Sequence, residues 1–556
     1  MGLKRFLLSV QGMAMRPPKK LAGFVFLGAL CLFGNVCGFS ETIAETAPRP
    51  ATGDALVTAS IGEPTNLIPF FAADSASADI SRLIFNGLVK YGKDLKLVGD
   101  LASSWDIREN GLVIVFHLKK NVLWQDGAPF TADDVEFTFQ KLMDPSTPTP
   151  YGGDFEKVKS LKVLDPYTVE VTYQEPFSPG LASWSMGVVP KHLLAKENLM
   201  KTAFSRHPVG TGPYILKKWK TGEILELVSN KNYFEGRPFI DRYFYRIIPD
   251  QATTFLELQT ENLDMAGLTP LQYKKETDTT FFRKRYQKFK FPSFGYTYIG
   301  YNLENPLFKD KKVRKAIGLA INKNEIIDVT LLGLGKVSTG PFLPGTWAYN
   351  PEVKESAFDP ETAKKLLAEA GWKDTNGDGW LDKNANKFSF TILTNQGNDQ
   401  RKMACEVIQK RLGDVGIEMK IQMVEWGTFL KEFIDKKRFE AVLLAWQLSY
   451  DPDIFDIFHS SKSKPGEFDF VSYKNEEVDR LLEEGRRIFP EEERAKIYHR
   501  IHEILSDDEP YTFLYVAESL PIVHKRFHGV EVAPAGIGYN FIRWFVPEDE
   551  QRYKFK

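Results

Sequence analysis

Cysteine is scarce in this sequence of 556 residues, which contains 3 of them. Cys31 and Cys37 lie in an apolar stretch near the N-terminus, and Cys405 is the one cysteine beyond that stretch. One cysteine cannot form an internal disulfide bond. If the N-terminal stretch is removed, the remaining protein must therefore be stabilised by its hydrophobic core alone.

A surplus of positive charge is also missing. The chain has 72 Lys and Arg against 73 Asp and Glu, a formal net charge of -1. Proteins whose main partner is nucleic acid are usually basic, so this balance gives no support to that function. The hydrophobic content of 43% is that of a globular protein, and a chain of this length is expected to form two or three domains.

Apart from residues 1–40, the sequence has no apolar run long enough to cross a membrane. A basic stretch ends at Lys19-Lys20, and residues 21–39 are then almost wholly apolar. This order predicts a secretory signal peptide over residues 1–40, followed by a Pro/Ala/Thr linker over 41–53. An uncleaved N-terminal anchor and lipid attachment to a cysteine of this stretch are the alternatives.

Motifs of catalytic sites are incomplete. No Gly-x-Ser-x-Gly sequence marks a serine-hydrolase nucleophile. Residues 333–337 resemble a phosphate loop, but valine stands where a hydroxyl must reach the metal ion. A predicted helix carries His499 and His502, but Ser506 stands where a zinc metalloprotease needs histidine. We therefore predict no catalytic residue, no metal site and no cofactor.

Two further patterns allow a second interpretation. Residues 374–379 (DTNGDG) alternate like a calcium loop, but Ala385 stands where a bidentate glutamate belongs, and the Asn-Gly and Asp-Gly pairs favour a turn. Residues 281–291 (FFRKRYQKFKF) interleave aromatic and basic side chains, as in single-stranded RNA binding. We favour the turn in the first case and a strand with a solvent-facing basic side in the second.

Residues 439–461 (FEAVLLAWQLSYDPDIFDIFHSS) are the most informative stretch. Residues 441–446 are a continuous apolar run and predict a buried strand. The following loop places aromatic side chains beside three carboxylates, of Asp451, Asp453 and Asp456. Such a mixture at the end of a buried strand is typical of a ligand pocket. A glycosidase would also need two acids across a cleft, but no second acid at the required separation can be identified.

Strand and helix patterns alternate along the chain, which predicts the α/β class. Thr131 and Asp134 form a capping box for one helix. Asp359-Pro360 begins another helix, which ends at Gly371. Further helices are predicted over residues 313–321, 401–412, 476–487 and 491–505.

A series of motifs follows in order from about residue 54 to the C-terminus. They lie at residues 100–105 (DLASSW), 116–119 (FHLK), 124–135 (WQDGAPFTADDV), 210–214 (GTGPY), 232–236 (NYFEG), 298–302 (YIGYN), 313–317 (VRKAI) and 359–372 (DPETAKKLLAEAGW). Together they resemble the extracellular solute-binding protein family 5, the oligopeptide- and dipeptide-binding subunits of ABC importers.

The resemblance implies a two-lobed, type II-like periplasmic-binding-protein fold with an extra domain inserted in the first lobe. Mapped onto this chain, the expected parts are the first lobe over 54–90 and 207–295, the inserted domain over 91–206, the second lobe over 296–520, and a C-terminal return to the first lobe over 521–556.

The resemblance also implies that an extended peptide lies between the lobes and pairs with a protein strand, here Ala445-Trp446-Gln447. Peptide-binding members carry an aspartate three residues after this tryptophan, which holds the ammonium of the ligand. Ser449 stands at that place, and Asp451 is the nearest acid that could replace it. A buried ammonium needs a carboxylate, so either Asp451 serves or the ligand has no free amine there.

The expected ligand-binding residues are Asn66, Phe70, Tyr296, Tyr298, Trp426, Ala445, Trp446, Gln447, Ser449, Tyr450 and Asp451. The expected function is that of a periplasmic receptor that delivers peptides to the permease and ATPase subunits of an ABC importer, with anchoring to the outer face of the inner membrane as the alternative to a free receptor. We expect a monomer without a nucleic-acid partner. Alternatives are an oligosaccharide or metal-chelate ligand, an extracytoplasmic hydrolase, and a tethered signalling receptor.

Overall fold

The computed structural model describes residues 48–555, which form one mixed α/β unit. The predicted α/β class is confirmed. The predicted signal peptide and most of the predicted linker lie outside the described residues.

The strands of this part of the chain are numbered in order. They are β1 (Gly53–Ser60), β2 (Val89–Tyr91), β3 (Leu97–Gly99), β4 (Ala102–Arg108), β5 (Val113–Leu118), β6 (Val158–Asp165), β7 (Thr168–Tyr173), β8 (Tyr214–Lys220), β9 (Ile224–Ser229), β10 (Ile240–Ile247), β11 (Met265–Gly267), β12 (Tyr286–Lys288), β13 (Phe291–Pro292), β14 (Gly295–Tyr301), β15 (Gly335–Val337), β16 (Asp382–Lys383), β17 (Asn386–Lys387), β18 (Ser389–Asn395), β19 (Glu418–Val424), β20 (Ala441–Gln447), β21 (Tyr511–Ser519) and β22 (Pro521–His524).

The α-helices are numbered in the same way. They are α1 (Ser75–Ile84), α2 (Ala132–Leu142), α3 (Gly180–Ser183), α4 (Lys191–Leu194), α5 (Gln251–Gln259), α6 (Thr280–Arg285), α7 (Lys311–Leu319), α8 (Lys323–Thr330), α9 (Pro360–Glu369), α10 (Asp399–Gly413), α11 (Trp426–Thr428), α12 (Phe455–Phe458), α13 (Glu476–Gly485) and α14 (Glu491–Asp508). Short π-helical segments follow at Gln272–Glu276 and Phe429–Ile434, and a 3₁₀ turn at Gly152–Asp154.

Two large sheets form the two main layers of the molecule. The first has the strand order β12-β22-β11-β1-β10-β9-β8, with β1 parallel to β10. The second has the order β13-β21-β14-β20-β18-β19, with β15 paired to β21. A four-stranded antiparallel sheet, β4-β5-β7-β6, is a third layer built from residues between β1 and β8.

The chain crosses between the two large sheets twice in their outer strands. One crossing joins β12 to β13, and the other joins β21 to β22. Each connection is short, so these two crossings tie the layers together along one side. The opposite side, where the four-stranded sheet meets the second large sheet, has no such covalent link among the described residues.

The apolar run that predicts a buried strand is β20, which is covered on both faces. Val442 and Leu444 pack into one hydrophobic cluster, and Ala441 and Leu443 pack into another on the opposite face. Successive side chains of a strand point to opposite faces. A strand segment between two cores must therefore be apolar at every position, as Ala441 to Leu444 are, whereas Ala445 and Gln447 at the end of β20 are exposed.

Helix starts follow the predicted capping residues. Thr131 and Asp134 form the predicted reciprocal capping box at the start of α2. The Asp359 carboxylate accepts from the N–H of Thr362 at 2.9 Å, and Gly371 ends the helix with a φ of +88°. Residues 281–291 differ from the prediction, because α6 occupies Thr280–Arg285. Thr279 caps that helix, and only β12 and β13 remain extended.

In the part of the chain that the structure describes, no helix joins sufficient length to sufficient apolar character to cross a bilayer.

Candidate functional site

A cavity of about 1980 Å³ lies between the segment from Thr65 to Leu95, the loops beside the four-stranded sheet, and the second large sheet with its loops. Its wall combines residues before β2, residues from the loop that precedes β6, and residues around the end of β20. The side chains that line it are mostly apolar and aromatic, with charged groups at separate points. Cavities that bind small molecules usually hold roughly 300–1,000 Å³, so this space admits a larger ligand.

The end of β20 has an unpaired edge at this cavity. Along one edge, β20 pairs with β14 over its full length, from Ala441 to Gln447. Along the other edge, β18 pairs only at Ala441 and Val442, and the Thr394 hydroxyl then donates to the Leu443 carbonyl at 2.9 Å. Among the described residues, no strand pairs with that edge from Leu444 onward. Unpaired backbone N–H and C=O groups at a sheet edge are a template for an added strand.

Aromatic rings form the wall beside this edge. The ring of Trp446 lies 5.4 Å from that of Phe468 and 5.8 Å from that of Phe470, measured between centroids. Its Nε1–H donates to the Tyr511 hydroxyl at 3.3 Å, which fixes the indole orientation. Tyr450 lies between the rings of Tyr91 (4.9 Å) and Phe294 (4.7 Å).

The loop after β20 carries the acid that sequence analysis considered for an ammonium. The carboxylate of Asp451 accepts two hydrogen bonds from Arg494, at 3.0 and 3.1 Å, and the Ser449 hydroxyl donates to the Asp451 carbonyl at 2.6 Å. Burial opposes the charge of Arg494, but Asp451 outweighs burial and raises the pKa of the guanidinium. The Asp451 charge is thus already compensated by a residue of α14.

Arg401, on the first turn of α10, is a positively charged residue of the cavity wall whose surroundings differ from those of Asp451. Its Nη1 donates to the Asn395 side-chain oxygen at 2.6 Å. Burial lowers the pKa of Arg401, with only tyrosine and cysteine side chains among the groups that act on it. Within residues 48–555 no carboxylate forms an ion pair with this guanidinium. A half-buried cation without a carboxylate partner is a natural site for a ligand anion, because pairing would offset its partial desolvation.

Comparison with known proteins identifies the family. The model of the bacterial extracellular solute-binding proteins, family 5 Middle, matches residues 96–467. The chain belongs to this family. It is therefore a solute-binding receptor and not an enzyme, and the resemblance inferred from the sequence motifs is confirmed.

Named relatives of this receptor support the same fold. It is 35% identical over 536 residues to oligopeptide-binding protein AppA of Bacillus subtilis, covering 94% of this chain and 97% of AppA. The structure of AppA in complex with a nonapeptide matches with a TM-score of 0.86, over 90% of this chain and 100% of that one. The predicted two-lobed fold with an inserted domain is confirmed.

Other relatives are named for different ligands. Heme-binding protein A of Haemophilus influenzae is 28% identical over 552 residues, covering 93% of this chain and 98% of that protein. NikZ from Campylobacter jejuni, in complex with Ni(L-His), is 30% identical with a TM-score of 0.81, over 88% of this chain and 99% of that one. Membership of the family therefore leaves the ligand class of this receptor open.

Most of the residues predicted from the sequence to bind ligand lie on one wall of the receptor cavity. The structure brings together Tyr298, Trp426, Ala445, Trp446, Gln447, Ser449, Tyr450 and Asp451.

The remaining three lie behind the wall. The side-chain oxygen of Asn66 accepts from the Ile68 N–H at 2.9 Å. Phe70 is fully buried in the core, and Tyr296 is covered by the ring of Phe513, 5.3 Å away. Their side chains support the local backbone and core instead of lining the cavity.

Sequence reasoning missed the cavity residues that come from other segments. Arg401 begins a predicted helix, and the Asn398 cap just before it gave no sign that the side chain turns toward the cavity. Tyr151 and Asp154 lie in a Pro/Gly-rich loop, which the sequence identified only as a connection. The two aromatic residues that flank Asp154 in sequence, Tyr151 and Phe155, were the available signal.

The alternative motifs have structural explanations. The carboxylate of Asp374 accepts from the N–H groups of Gly377 (2.7 Å) and Gly379 (3.0 Å), which is the preferred turn. His502 is fully buried and bonded to Thr339 and to the backbone of Asn350. Within residues 48–555 there is no group of three or more side chains suited to hold a metal ion.

Proposed function

We propose that this receptor captures oligopeptides in this cavity and delivers them to the permease and ATPase subunits of an ABC importer, outside the cytoplasmic membrane. The observation that carries the proposal is the unpaired edge of β20 at the cavity. A peptide is a ligand with a repeating set of backbone donors and acceptors that can extend such an edge.

The size of the cavity favours a peptide of several residues. The volume of about 1980 Å³ is roughly twice the upper end of the range for drug-sized ligands. An extended peptide rises by about 3.3 Å for each residue. A peptide of several residues paired along β20 would therefore extend along the length of the cavity. The named relative AppA, of similar length and fold, has been solved with a nonapeptide.

Each part of the wall receives a role in this proposal. The backbone N–H and C=O groups of Ala445 and Gln447 face the unpaired edge and bond to the peptide main chain, with Trp446 between them. Rings of the wall contact its side chains through apolar and stacking interactions. Arg401 binds a carboxylate of the peptide, either its C-terminus or an acidic side chain, through charge-assisted hydrogen bonds.

The domain boundaries are part of the same proposal. The first lobe comprises 54–90 and 207–295, the inserted domain 91–206, the second lobe 296–520, and the C-terminal return 521–556. Strands of the first and second large sheets fall on opposite sides of these boundaries, except that β13 and the first residue of β14 precede residue 296. The short crossings before β13 and after β21 would then act as the hinge.

A ligand without a free amine is the second candidate. Ser449 stands where peptide-binding members carry an aspartate, and the nearest acid, Asp451, is already paired with Arg494. Two relatives are named for heme and for Ni(L-His). An N-terminally blocked peptide or a metal chelate would fit a wall with this charge arrangement.

The test compares peptides of one sequence with modified ends. Calorimetry with free, N-acetylated and C-amidated forms of a series from two to nine residues should give the tightest binding for the longer peptides. Amidation should weaken binding more than acetylation. Denaturation of the complex followed by mass spectrometry should release the peptide intact. A receptor that binds no member of the series but binds a nickel or heme chelate would support the second candidate, and cleaved peptides would contradict the receptor role.

A further inference from the structure

The four-stranded layer and the second large sheet, through the loops and helices attached to each, share a group of contacts beside the cavity that is centred on Arg486. We call this group the clasp: residues 151–156 and 175–178 on one side, and residues 453–462 and 485–487 on the other. Arg486 donates from Nη1 to the Gly153 carbonyl at 3.0 Å, and the Arg486 carbonyl accepts from the Ser178 N–H at 2.7 Å. The clasp is distant in sequence from both crossings between the sheets.

Ion pairs on either side extend the clasp. Lys462 pairs with Glu156, and Arg487 pairs with Glu175. Each pair joins residues about three hundred positions apart, on different layers. The two large sheets are joined covalently at the β12–β13 and β21–β22 crossings, so a hinge motion at those crossings would separate the two sides of the clasp and break these contacts.

Asp456 is the unusual group of the clasp. Its Oδ1 is buried and has no hydrogen-bond partner among residues 48–555, and the Lys462 ammonium, which pairs more closely with Glu156, stands 3.8 Å from it. This oxygen lies against Gly153, where an added Cβ would overlap it far inside van der Waals contact. A side chain at position 153 would therefore have to displace the Asp456 carboxyl group or separate the two layers. A buried carboxylate oxygen without a donor is costly when ionised and acceptable when the group carries a proton.

Carboxyl groups outnumber the cations that could neutralise them. Asp154, Asp453 and Asp456 face Arg486 and Lys462. Arg486 forms its closest ion pair with Asp453, whose carboxylate oxygen lies 2.7 Å from Nη2 and 2.8 Å from Nε. The distance from Arg486 to the Asp154 carboxylate is longer, at 3.5 Å.

Burial raises the pKa of Asp154 to about 7, although Arg486 opposes that shift. Burial and the neighbouring Asp154 carboxylate both raise the pKa of Asp456. The charged and titratable groups that act on this pair from all surrounding segments are Tyr91, Tyr151, Glu156, Tyr173, Asp451, Asp453, Lys462 and Arg486.

We propose that the clasp holds the cavity closed and that its closure binds one proton, held between the Asp154 and Asp456 carboxyl groups. The proposal rests on the proposed function, because closure around a ligand is what the clasp would control. In the open state both carboxyl groups face water and are ionised above about pH 4.

The direction of the pH effect follows from the raised pKa of the closed state. The closed state retains a proton that the open state releases. Closure is therefore most favourable below the ordinary aspartate range and becomes less favourable as pH rises toward 7. One proton gives a change of about tenfold in the closed-to-open ratio for each pH unit in that window.

The Ser178 amide reports the clasp directly, because its N–H is bonded across it. Hydrogen exchange of this amide, resolved singly and corrected for intrinsic exchange, is measured in the full chain without ligand from pH 5 to 7. In the wild type, protection should fall by up to about tenfold per pH unit. The double variant Asp154→Asn/Asp456→Asn should show a flat profile. Glu197→Gln, an exposed change in the same layer, should behave as wild type.

Gly153→Ala tests the close approach independently of titration. Its added methyl group should lower Ser178 protection at every pH, while far-UV circular dichroism and the melting temperature stay near wild type. A flat wild-type profile, a double variant that keeps the slope, or a Gly153→Ala variant with wild-type protection would each overturn the proposal.

Ligand addition separates this proposal from the proposed function. If both are right, a bound peptide raises Ser178 protection and calorimetry in buffers of different ionisation enthalpy shows proton uptake near pH 6. If no peptide binds but the ligand-free pH profile is as expected, the result supports the proposed proton-binding clasp and contradicts the proposal that the ligand is a peptide.

Discussion

Arg494 holds the carboxylate of Asp451 through two hydrogen bonds, at 3.0 and 3.1 Å. The acid nearest to the position where peptide binders carry an aspartate is thereby turned toward the protein. The pair shapes the loop after β20 and removes a negative charge from the cavity wall.

Asp451→Asn should therefore act on stability more than on binding. Arg494 is only 7% exposed and would lose its carboxylate, so the free energy of unfolding should fall by about 1–3 kcal/mol in urea titration. Asp414→Asn, at an exposed ion pair, should change it by less than about 0.5 kcal/mol. Unchanged stability together with a tenfold loss of peptide affinity would show that Asp451 binds the ligand ammonium.

Arg401→Met should weaken binding of peptides with a free carboxylate. A charged hydrogen bond contributes about 1.5–3 kcal/mol, which corresponds to a loss of roughly ten- to a hundredfold in affinity. Calorimetry with the amidated peptide should show little difference between variant and wild type. Lys402→Met, at the exposed neighbouring position, is the matched control. Equal losses for the free and amidated peptides would argue against a carboxylate at Arg401.

Trp446→Ala should reduce affinity for all peptides, because the indole forms the wall beside the unpaired strand edge. We expect a loss of about tenfold or more, measured by calorimetry, since a large aromatic contact is removed. Trp446→Phe keeps the ring contacts with Phe468 and Phe470 but loses the bond to Tyr511, and should retain most of the affinity. Wild-type affinity in the alanine variant would place the ligand elsewhere.

His502 should make stability depend on pH. Its Nδ1 accepts from the Asn350 N–H, so Nε2 carries the proton and donates to Thr339, both at 3.1 Å. Burial lowers the pKa of His502 to about 4, from an ordinary value of 6.5. The unfolded chain thus binds this proton first as pH falls, and stability should drop by about 3 kcal/mol between pH 6.5 and 4.

The matched measurement for this histidine is urea unfolding of wild type and His502→Gln across that pH range. The difference in unfolding free energy between the two should shrink as pH falls. The exposed variant His207→Gln should run parallel to wild type. A constant difference between wild type and His502→Gln would contradict a neutral buried histidine.

The elements that the sequence predicted well are those whose signals are local. The apolar run at the start of β20 arises because the strand packs between two hydrophobic cores. The helix caps at Thr131 and Asp359 bond to residues three positions away. Both kinds of signal depend on a few neighbouring side chains, so a single sequence is sufficient to find them.

The features that the sequence did not reveal depend on distant partners. Asp451 meets Arg494 across 43 positions of sequence, and Arg486 meets Gly153 across 333. The hydrophobic periodicity of a sequence does not show which basic side chain will pair with which acidic side chain. The helix at Thr280–Arg285 was missed because alternating aromatic and basic residues suit a strand as well as a short helix, and the Thr279 cap was the deciding local signal.

The unpaired edge of β20 also bears on how the range of transported cargo could change. Hydrogen bonds to the peptide main chain are nearly the same for all amino acids. Changes in ligand specificity would therefore come from substitutions among the surrounding aromatic and charged side chains, and each of these can change while the others remain. With the proposed pairing, a proline introduced at Ala445 would remove a backbone N–H that faces the ligand, and calorimetry should show weaker binding of every peptide. Sequence differences within this family should therefore be more frequent around β20 than at positions where a substitution would disrupt the β20 backbone.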